Sequence, residues 1–358
     1  MSKEKITVVG AGLAGLVAAI NLLREGFEVD VWDGAKKLGQ LEAFHPSIHA
    51  TPIDPHRVSA YVGVDVCGCF TKVETFRIVV KNSRYALNPQ SYHLVERGGR
   101  KTSIDTHLYN TAREMGARFH FDHYIRDLKD VPERAVVATG FNKEGMEALG
   151  IAYEEGTGAY ARKKLDDPAL NHALIGWAGE YTPDYGYLSV ANGLMFFLVF
   201  TRHAMTDRDV DACKRHLEET EGLVFDSWDT HKGYIPLLDR NSLRLFKGTR
   251  VLTGTISGMI DPAGMFGIHG ALMAGKIAAL VFTDTEKALD DFRTFTRNYQ
   301  RVRVLSGAMR KIPMRLALTQ LMFRFPQVMS PVLRLLDDGI PGYEGHWGME
   351  MMKGRKRL

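Results

Sequence analysis

The chain of 358 residues is poor in cysteine, in net charge and in long apolar segments. Its three cysteines are too few, and odd in number, for a disulfide framework, which favours a reducing compartment. No run of about 18 uninterrupted apolar residues is present, so a membrane-spanning helix is not expected. A formal net charge of +4, without interleaved basic and aromatic residues, argues against a nucleic-acid partner. Because the N-terminus leads straight into an apolar stretch without a signal peptide, we expect a cytoplasmic protein.

The cysteines and histidines give little sign of a metal site. Cys67-Gly68-Cys69 is too tightly spaced for an ordinary disulfide and supplies only two metal ligands. A structural role is therefore favoured over a thiol near a redox centre. His45, His49 and His56 lack close metal spacing and are expected to be ordinary core or surface histidines, the alternative being a catalytic acid at His45 or His49. We predict no metal.

The most informative segment is a glycine-rich turn directly after an apolar strand. The strand Ile6-Thr7-Val8-Val9 is followed by this turn and then by the apolar run Leu16–Arg24. In the turn, Gly10 permits a tight bend, Gly12 lets the backbone approach phosphates, and Gly15 lets the helix pack closely on the strand. The free N–H groups and the positive dipole end of the helix then attract an anion. The segment predicts a dinucleotide-binding site formed by Gly10, Ala11, Gly12, Leu13, Ala14 and Gly15.

A second strand is predicted over Glu28–Trp32, after a helix end at Gly26. It leads to Asp33, where a carboxylate accepts the hydroxyls of an adenosine ribose. Because an acidic side chain there disfavours a 2′-phosphate, we expect an adenosine dinucleotide without that group. The alternative interpretation is a glycine-rich turn in an ordinary α/β unit.

Further α/β elements follow the first unit. Apolar residues from Ile104 to Met115 have helical spacing, and strands are predicted over 117–121 and 134–140. The second of these strands ends at Gly140. We expect it to lie beside the first strand, so that its carboxyl end reaches the cofactor.

A second glycine-rich helix start occurs far along the chain. A predicted strand reaches Gly254, and a proline and glycines then precede a small-residue helix over 271–280. Two glycine-rich helix starts are more than a single nicotinamide cofactor requires. They suit a longer cofactor such as FAD, with its pyrophosphate at one helix and its ribityl and isoalloxazine end at the other. The candidate cofactor-binding residues of this segment are Gly254, Thr255, Asp261, Gly264, Gly267 and Ile268.

These patterns predict an α/β protein with a Rossmann-type, glutathione-reductase-like FAD-binding domain, an antiparallel-sheet substrate domain and a helical C-terminal segment. The FAD-binding domain is expected to be discontinuous, over 1–150 and 246–285. The substrate domain is expected over 151–245, with part of 45–100 joining it, because short aromatic strands recur there. The helical region is expected over 286–358.

The second glycine segment resembles that of the FAD-dependent geranylgeranyl reductase family, within the p-hydroxybenzoate-hydroxylase-like flavoproteins. Its glycines, Pro262 and the stretch Gly264-Met265-Phe266-Gly267-Ile268 stand in an order close to the family pattern. Lys101-Thr102-Ser103-Ile104-Asp105 looks like the central motif of the family, which implies that Arg100 or Lys101 lies beside the cofactor. Tyr185-Gly186-Tyr187 is similar to the start of its substrate-lobe motif.

The resemblance covers residues 1–35, 100–140 and 235–285. It implies an FAD-dependent oxidoreductase that reduces carbon–carbon double bonds of an isoprenoid or other apolar substrate, with electrons from NAD(P)H or a reduced carrier protein. One departure is Thr255, where the family has an aspartate that accepts a ribityl hydroxyl; a neutral hydroxyl is the weaker acceptor. The candidate substrate-contacting residues are His45, Tyr185 and Tyr187, and no catalytic residue is identified.

Two other functions remain open. A flavin monooxygenase acting on an aromatic or polyketide-like substrate has a similar fold, although the mid-chain Asp-Gly pair usual in such hydroxylases has no convincing equivalent here. The third interpretation is a non-catalytic, flavoprotein-like binding protein, which the threonine at position 255 keeps open.

The segment 309–325 mixes bulky apolar residues with Arg and Lys and contains almost no acidic residue. A helix that begins after Pro313 either covers the core or lies in a membrane interface, where basic side chains meet anionic headgroups. The second interpretation predicts peripheral contact with the inner face of a membrane.

Overall fold

The computed structural model describes residues 4–40, 45–81, 83–166, 172–178, 185–201, 204–237, 243–262, 264–310, 315–325, 327, 331 and 347–358. The helices are α1 (Leu13–Arg24), α2 (Pro55–Val62), α3 (Ile104–Glu114), α4 (Lys143–Leu149), α5 (Asp207–His216), α6 (Ile268–Leu280), α7 (Thr285–Arg310), α8 (Arg315–Arg324) and α9 (Trp347–Met352). The strands are β1 (Lys5–Val9), β2 (Glu28–Trp32), β3 (Ser47–Thr51), β4 (Phe70–Lys72), β5 (Thr75–Val80), β6 (Ser83–Ala86), β7 (His93–Arg97), β8 (Arg118–His120), β9 (Ala135–Val137), β10 (Tyr153–Lys164), β11 (Ala173–Ala178), β12 (Tyr185–Ala191), β13 (Leu194–Thr201), β14 (Trp228–Pro236), β15 (Phe246–Lys247), β16 (Arg250–Leu252) and β17 (Lys356–Arg357).

The first sheet has the strand order β8-β2-β1-β9-β16-β15. All its pairings are parallel except that of β15 with β16. Numbered along the chain, the five parallel strands run 3-2-1-4-5, which is the arrangement of a Rossmann-type sheet. The order reverses between β1 and β9, and ligands of open α/β sheets bind outside the carboxyl ends of the strands at such a reversal.

The first β-α-β unit forms as its sequence predicts. The β1 residues Ile6 and Val8 are fully buried, and most of α1 is buried too, because the helix is covered by the sheet on one side and by other helices around it. Gly26 has a φ of +88°, a left-handed conformation that turns the chain from α1 into β2. The predicted strands at 117–121 and 134–140 appear as the shorter β8 and β9, and β9 pairs with β1.

Helix α6 packs directly against α1. A Cβ at Gly275 would lie 2.5 Å from the carbonyl oxygen of Ala14, so the glycine lets the two backbones approach. The buried Asn21 of α1 donates to the carbonyl oxygen of Val62 at the end of α2 and accepts a hydrogen bond from Nζ of Lys276 in α6. These contacts join α1 to α2 and to the middle of α6.

The second sheet has the strand order β14-β10-β13-β12-β11-β5-β6-β17. It is antiparallel apart from the parallel pair β5 and β11, in agreement with the mostly antiparallel sheet expected from the sequence. A third, three-stranded antiparallel sheet has the order β3-β7-β4. Along the chain, β5 and β6 of the second sheet stand between its strands β4 and β7, and the small sheet contacts β12 and β13.

The described residues after 285 are mainly helical, in α7, α8 and α9, but the last of them depart from the helical expectation. Lys356 and Arg357 form β17, which pairs with β6 at the edge of the second sheet. The strand edge of β6 offers unpaired backbone groups, and the terminal strand satisfies them. The domain limits expected at 150, 245 and 285 stay a prediction.

Candidate functional site

A cavity of about 700 Å³ separates the first sheet from the second. One end is lined by the residues that follow β1, β2 and β9 and by the start of α6, and the other end is lined by side chains of the second sheet. Its volume lies within the range of about 300–1,000 Å³ that is usual for small-molecule and cofactor sites. The cavity therefore occupies the position at which a Rossmann-type sheet binds its ligand.

The glycine turn after β1 fits a ligand that approaches the backbone. Gly10 has a φ of +110°, and a Cβ there would lie 2.3 Å from the carbonyl oxygen of Ala138. A Cβ at Gly15 would lie 1.9 Å from the carbonyl oxygen of Gly10, so the turn and α1 pack without side chains. At Gly12, by contrast, no described atom lies within 4 Å of a Cβ, and the residue lines the cavity. The close packing is behind the turn, and the open side faces the cavity.

Asp33 joins the end of β2 to this turn. Its Oδ2 accepts a hydrogen bond of 2.7 Å from the N–H of Ala11, and its Oδ1 accepts one of 2.8 Å from the N–H of Ala35. Burial raises the pKa of Asp33, and the two N–H donors oppose that rise. An ionised carboxylate has about four acceptor positions, so acceptor capacity remains for the hydroxyls of a ribose. Asp33 lines the cavity, as its predicted role requires.

The second glycine segment reaches the same cavity. Gly254 has a φ of +69° and approaches Ala14 in the first turn of α1, with 3.0 Å between its notional Cβ and the Cβ of Ala14. Asp261 is buried and accepts from the N–H of Gly264, so its carboxylate organises the loop before α6. The cavity is lined by Gly254, Thr255, Gly264, Gly267 and Ile268, whereas Asp261 lies behind that lining. The cavity thus meets two helix N-termini, those of α1 and α6.

The structure places the two basic residues expected beside the cofactor elsewhere. Arg100 forms an ion pair of 3.2 Å with Glu96 and donates to the carbonyl oxygen of Asn192. Lys101 is exposed in the turn before α3. Neither residue lines the cavity within the described part of the chain. Both residues follow the turn at Gly98 and Gly99, beyond the end of β7.

The basic residue that lines the cavity is Arg97, which the sequence reasoning missed. Its Nε and NH2 donate to both carboxylate oxygens of Asp105 at 2.8 and 3.0 Å, and Asp105 lines the cavity as well. Asp105 also accepts from the N–H of Gly98. The sequence signal that could have identified this pair is an arginine at the end of a strand, Arg97, followed by an aspartate in the first turn of the next helix, Asp105.

A chain of polar side chains runs along one wall of the cavity. Oγ of Ser47 lies 2.8 Å from Nδ1 of His45 and 2.8 Å from Nε2 of His49. Nδ1 of His49 lies 3.1 Å from the hydroxyl of Tyr187. Burial, followed by the positive charge of Arg97, holds the pKa of both histidines well below the ordinary value of 6.5. Both rings are therefore neutral near pH 7.

Other predicted site residues fall into three groups. Gly140 lines the cavity at the end of β9, in agreement with its predicted position. Gly15 lies behind the glycine turn, where it makes the packing contact described above. The side chain of Tyr185 lies outside the described residues, although its backbone begins β12.

The rest of the cavity is mostly apolar. Apolar side chains come from β5, β13, the loop before α6 and α8: Phe76, Ile78, Leu198, Phe200, Phe266 and Phe323. Met351 of α9 also contributes. Sequence reasoning did not identify these residues, because they come from five separate stretches of the chain and share no motif.

Two features are absent from the described residues. No group of three or more His, Cys, Asp or Glu side chains is placed to hold a metal ion in the ranges given above. In the same ranges no helix combines the length and the apolar character needed to cross a membrane.

Sequence comparison finds similarity over a short segment. A family model described as an NAD(P)-binding Rossmann-like domain matches residues 8–46. Over 58 residues, 16% of this chain, the sequence is 44% identical to a protein from Arabidopsis thaliana named putative flavin-containing monooxygenase FMO GS-OX-like 10. Flavin-containing monooxygenase FMO GS-OX2 of the same plant is 42% identical over 59 residues. The chain spans 13% of the length of these relatives.

Structural comparison finds similarity over almost the whole chain. A geranylgeranyl bacteriochlorophyll reductase-like protein from Thermoplasma acidophilum superimposes with a TM-score of 0.68 at 12% identity, covering 94% of this chain and 100% of the other. For 2-methyl-3-hydroxypyridine-5-carboxylic acid oxygenase the TM-score is 0.64 at 17% identity, covering 97% and 100%. A flavin-dependent brominase gives 0.64 at 13% identity, covering 94% of each chain. The protein therefore has the Rossmann-type α/β fold shared by these flavoproteins, as its sequence predicts.

Proposed function

We propose that this protein binds FAD and reduces carbon–carbon double bonds of an isoprenoid or other apolar substrate, with electrons from NAD(P)H or a reduced carrier protein. One observation carries the proposal. A single cavity has phosphate- and ribose-binding features at one end and an apolar wall at the other. A dinucleotide that occupies the first end brings its reactive ring towards the second, where an apolar molecule is accommodated.

Residues at the first end of the cavity support binding of the adenosine half of the dinucleotide. The open side of Gly12 and the N–H groups of the first turn of α1 would hold the pyrophosphate. Asp33 would accept the ribose hydroxyls, because two backbone donors already fix its carboxylate. The flavin-fold relatives and the Rossmann-like match support FAD as the dinucleotide.

The flavin end would lie near the start of α6. Gly267 and Ile268 line the cavity at the N-terminus of this 13-residue helix, and the helix end offers N–H groups and positive potential to an electron-rich ring edge. Thr255, buried and facing the cavity, would contribute a neutral hydroxyl where the resembling family has a carboxylate. When bound, FAD supplies hydride transfer; the protein supplies orientation and excludes water.

An apolar substrate follows from the remaining walls. Aromatic and aliphatic side chains of the second sheet and of α8 surround most of this end, and the polar groups are gathered on the wall with His49 and Tyr187. Burying apolar surface contributes about 25 cal/mol per Å², so such a wall favours a long hydrocarbon over a polar metabolite.

Hydroxylation of an aromatic substrate is the second candidate. It is favoured by the likeness to an oxygenase and by the short match to flavin-containing monooxygenases. A neutral histidine bonded to a tyrosine hydroxyl could also withdraw a proton from a phenol. The third interpretation, a non-catalytic binding protein, predicts no transfer of electrons to any substrate.

The test begins with the purified protein. Its ligand is released by denaturation and identified by mass, and the holoprotein is reduced under anaerobic conditions with NADH, NADPH or dithionite. Geranylgeraniol is then added as the probe. If the proposal is correct, geranylgeraniol re-oxidises the reduced protein, and the product gains two hydrogen atoms per reduced double bond.

The outcomes separate the candidates. Absence of FAD, or a reduced holoprotein that geranylgeraniol and shorter polyprenyl alcohols leave unchanged, contradicts the proposal. Incorporation of oxygen-18 from labelled O₂ into a phenolic probe, with no reduction of alkenes, supports hydroxylation. A yellow protein that transfers electrons to neither probe supports the non-catalytic interpretation.

We also propose that α8 gives an apolar substrate access from a membrane surface. Phe323 of this helix lines the cavity, whereas Leu321 and Phe325 are each 45% exposed beside Arg324. The helix is held to the second sheet by a hydrogen bond of 3.0 Å from Gln320 to Ser83. One side of α8 therefore faces the cavity wall, and another side presents apolar and basic groups to the surroundings. The predicted contact segment also includes residues 311–314, which lie outside the described residues.

A further inference from the structure

Part of the polar wall of the cavity is built by strand alternation. Ser47 and His49 stand two residues apart in β3, so their side chains point to the same side, and His45 just before the strand lies with Nδ1 2.8 Å from the Ser47 hydroxyl. The intervening Ile48 points the other way and is fully buried in the core of the second sheet. Tyr187 comes from β12, which lies against β3, and Ser189 of the same strand donates 2.7 Å to the carbonyl oxygen of Ile48. This bond holds β12 against β3, so that Tyr187 reaches His49.

Four groups form an unbroken hydrogen-bonded series: the Tyr187 hydroxyl, His49, the Ser47 hydroxyl and His45. A neutral imidazole donates from one nitrogen and accepts at the other, and a hydroxyl can do both. The series therefore conducts a proton in one direction if every member donates to the next. Both histidines are held neutral, as this requires.

We propose that Tyr187 is the catalytic acid of the proposed reduction and that His49, Ser47 and His45 form a relay that restores its proton; this rests on the function proposed above. The substrate double bond accepts a hydride at one carbon and the Tyr187 proton at the other. Nδ1 of His49 then gives its proton to the phenolate oxygen, and the Ser47 hydroxyl gives its proton to Nε2 of His49. Nδ1 of His45 gives its proton to Ser47, and Nε2 of His45 takes one proton from solvent water. One proton leaves the series and one enters it, and each member ends neutral.

Charged and titratable groups around the series come from four other elements. Arg97 of β7 lies near both histidines, but Asp105 of α3 binds its guanidinium through two hydrogen bonds. Arg162 of β10 donates 2.7 Å to the carbonyl oxygen of His45, and His231 of β14 lies near that ring. Burial and the positive charges of Arg97 and Arg162 lower the pKa of the His45 ring, and burial and Arg97 lower that of the His49 ring, where the carboxylate of Asp105 opposes them. A relay of neutral rings is therefore consistent with them, whereas a permanently charged histidine is not.

The first test reads the histidine tautomers and does not depend on catalysis. If the series is continuous, His45 and His49 carry their protons on the same nitrogen, both on Nδ1 or both on Nε2. Long-range proton–nitrogen NMR of histidine-labelled protein at about pH 7 measures this, with His45→Gln and His49→Gln for assignment. Opposite tautomers, with Ser47 accepting from both rings, would break the relay at the hydroxyl and overturn it, as would a charged ring.

The second test separates the acid from its relay by kinetics. With reduced holoprotein and geranylgeraniol, Tyr187→Phe should slow the first turnover by about 10²-fold or more, the usual contribution of general acid catalysis. Ser47→Ala leaves Tyr187 its first proton, so the first turnover should stay within about twofold of wild type while later turnovers slow about tenfold.

A matched control is available on β10. Tyr160→Phe removes a buried phenol that does not line the cavity, so its first and later turnovers should match those of wild type. Equal slowing of first and later turnovers by Ser47→Ala, or wild-type rates in Tyr187→Phe, overturns the relay. If wild type reduces no polyprenyl probe, the proposed function fails, and matching or opposite tautomers still decide whether the series can conduct a proton.

Discussion

The main-chain N–H of Ala11 donates a hydrogen bond of 2.7 Å to Oδ2 of Asp33. This bond ties the glycine turn after β1 to the end of β2, so one carboxylate shapes the loop and also faces the cavity. Asp33, which the sequence predicts as the acceptor of the ribose hydroxyls, thus also holds the glycine turn in the conformation that a pyrophosphate would meet.

The first prediction concerns this carboxylate. Asp33→Asn keeps the size of the side chain but removes the charge and presents an amide NH₂ to one of the two N–H donors. A hydrogen bond to a charged group contributes about 1.5–3 kcal/mol, so FAD affinity should fall about 10- to 100-fold. Titration of apoprotein with FAD, followed by flavin fluorescence, measures the change. Asp122→Asn is the control, since its positive φ of 56° suits asparagine and it does not line the cavity. Equal affinities of wild type and Asp33→Asn would remove the ribose role.

The second prediction contrasts two glycines of the same turn. Gly10→Ala places a Cβ 2.3 Å from a carbonyl oxygen at a φ of +110°, so we expect the free energy of unfolding to fall by about 1–3 kcal/mol or more. Gly12→Ala meets no atom within 4 Å, so stability should change by less than about 1 kcal/mol while FAD binding weakens. Urea denaturation and FAD titration of both variants measure the two effects. A similar loss of stability in both variants would contradict the finding that Gly12 faces open space.

The third prediction concerns the acid stability of the protein. Burial lowers the pKa of His269 to about 4, its Nε2 has no hydrogen-bond partner in the described residues, and its ring packs on Phe295. The unfolded chain, with a histidine pKa of about 6.5, binds the additional proton first. The neutral, buried ring of His269 therefore contributes its full share of the free energy of unfolding above pH 6.5. That share, about 3 kcal/mol, is lost as the pH falls from 6.5 towards 4.

His269→Leu should flatten this part of the pH profile, because leucine fills the buried site without titrating. Denaturation between about pH 7 and pH 5 measures the slope. The exposed His107 supplies the control variant His107→Leu. An unchanged slope in His269→Leu would show that His269 is not the residue that titrates on unfolding.

The fourth prediction tests the surface of α8. Wild-type protein should sediment with vesicles of phosphatidylglycerol and phosphatidylcholine at low salt, and Leu321→Ser or Phe325→Ser should each weaken binding about tenfold. Full burial of a large apolar side chain contributes about 1.5–3 kcal/mol, of which an interface gains part. Val224→Ser is the control, because Val224 is 59% exposed and lies outside this helix. Wild-type protein that stays in the supernatant would favour a helix that only covers the core.

The predicted dinucleotide unit was recovered because its signals are local. A turn that needs a positive φ at Gly10, a helix that ends before Gly26 and an acid after β2 each depend on neighbours a few residues away. The second glycine segment was recognised for the same reason. Its loop geometry is set by Asp261 and Gly264, three residues apart.

The basic residue of the cavity shows where local reasoning fails. A motif match favoured Arg100 or Lys101, yet Arg97 at the end of β7 lines the cavity, where it binds Asp105 of α3. The structure also places the ring of His269 on Phe295 of α7, a contact that no pattern in the sequence near His269 predicts.

The sequence by itself determined the Rossmann-type unit and the second helix start. These depend on periodicity and on glycine conformations, which are properties of short segments. Tertiary structure alone decided that Tyr187, His49, Ser47 and His45 form one hydrogen-bonded series, that Arg97 binds Asp105 beside it, and that Phe323 closes the apolar wall. Such contacts join residues far apart in the chain. They exist only because β12 lies against β3 and α8 against the second sheet, and no local pattern encodes that packing.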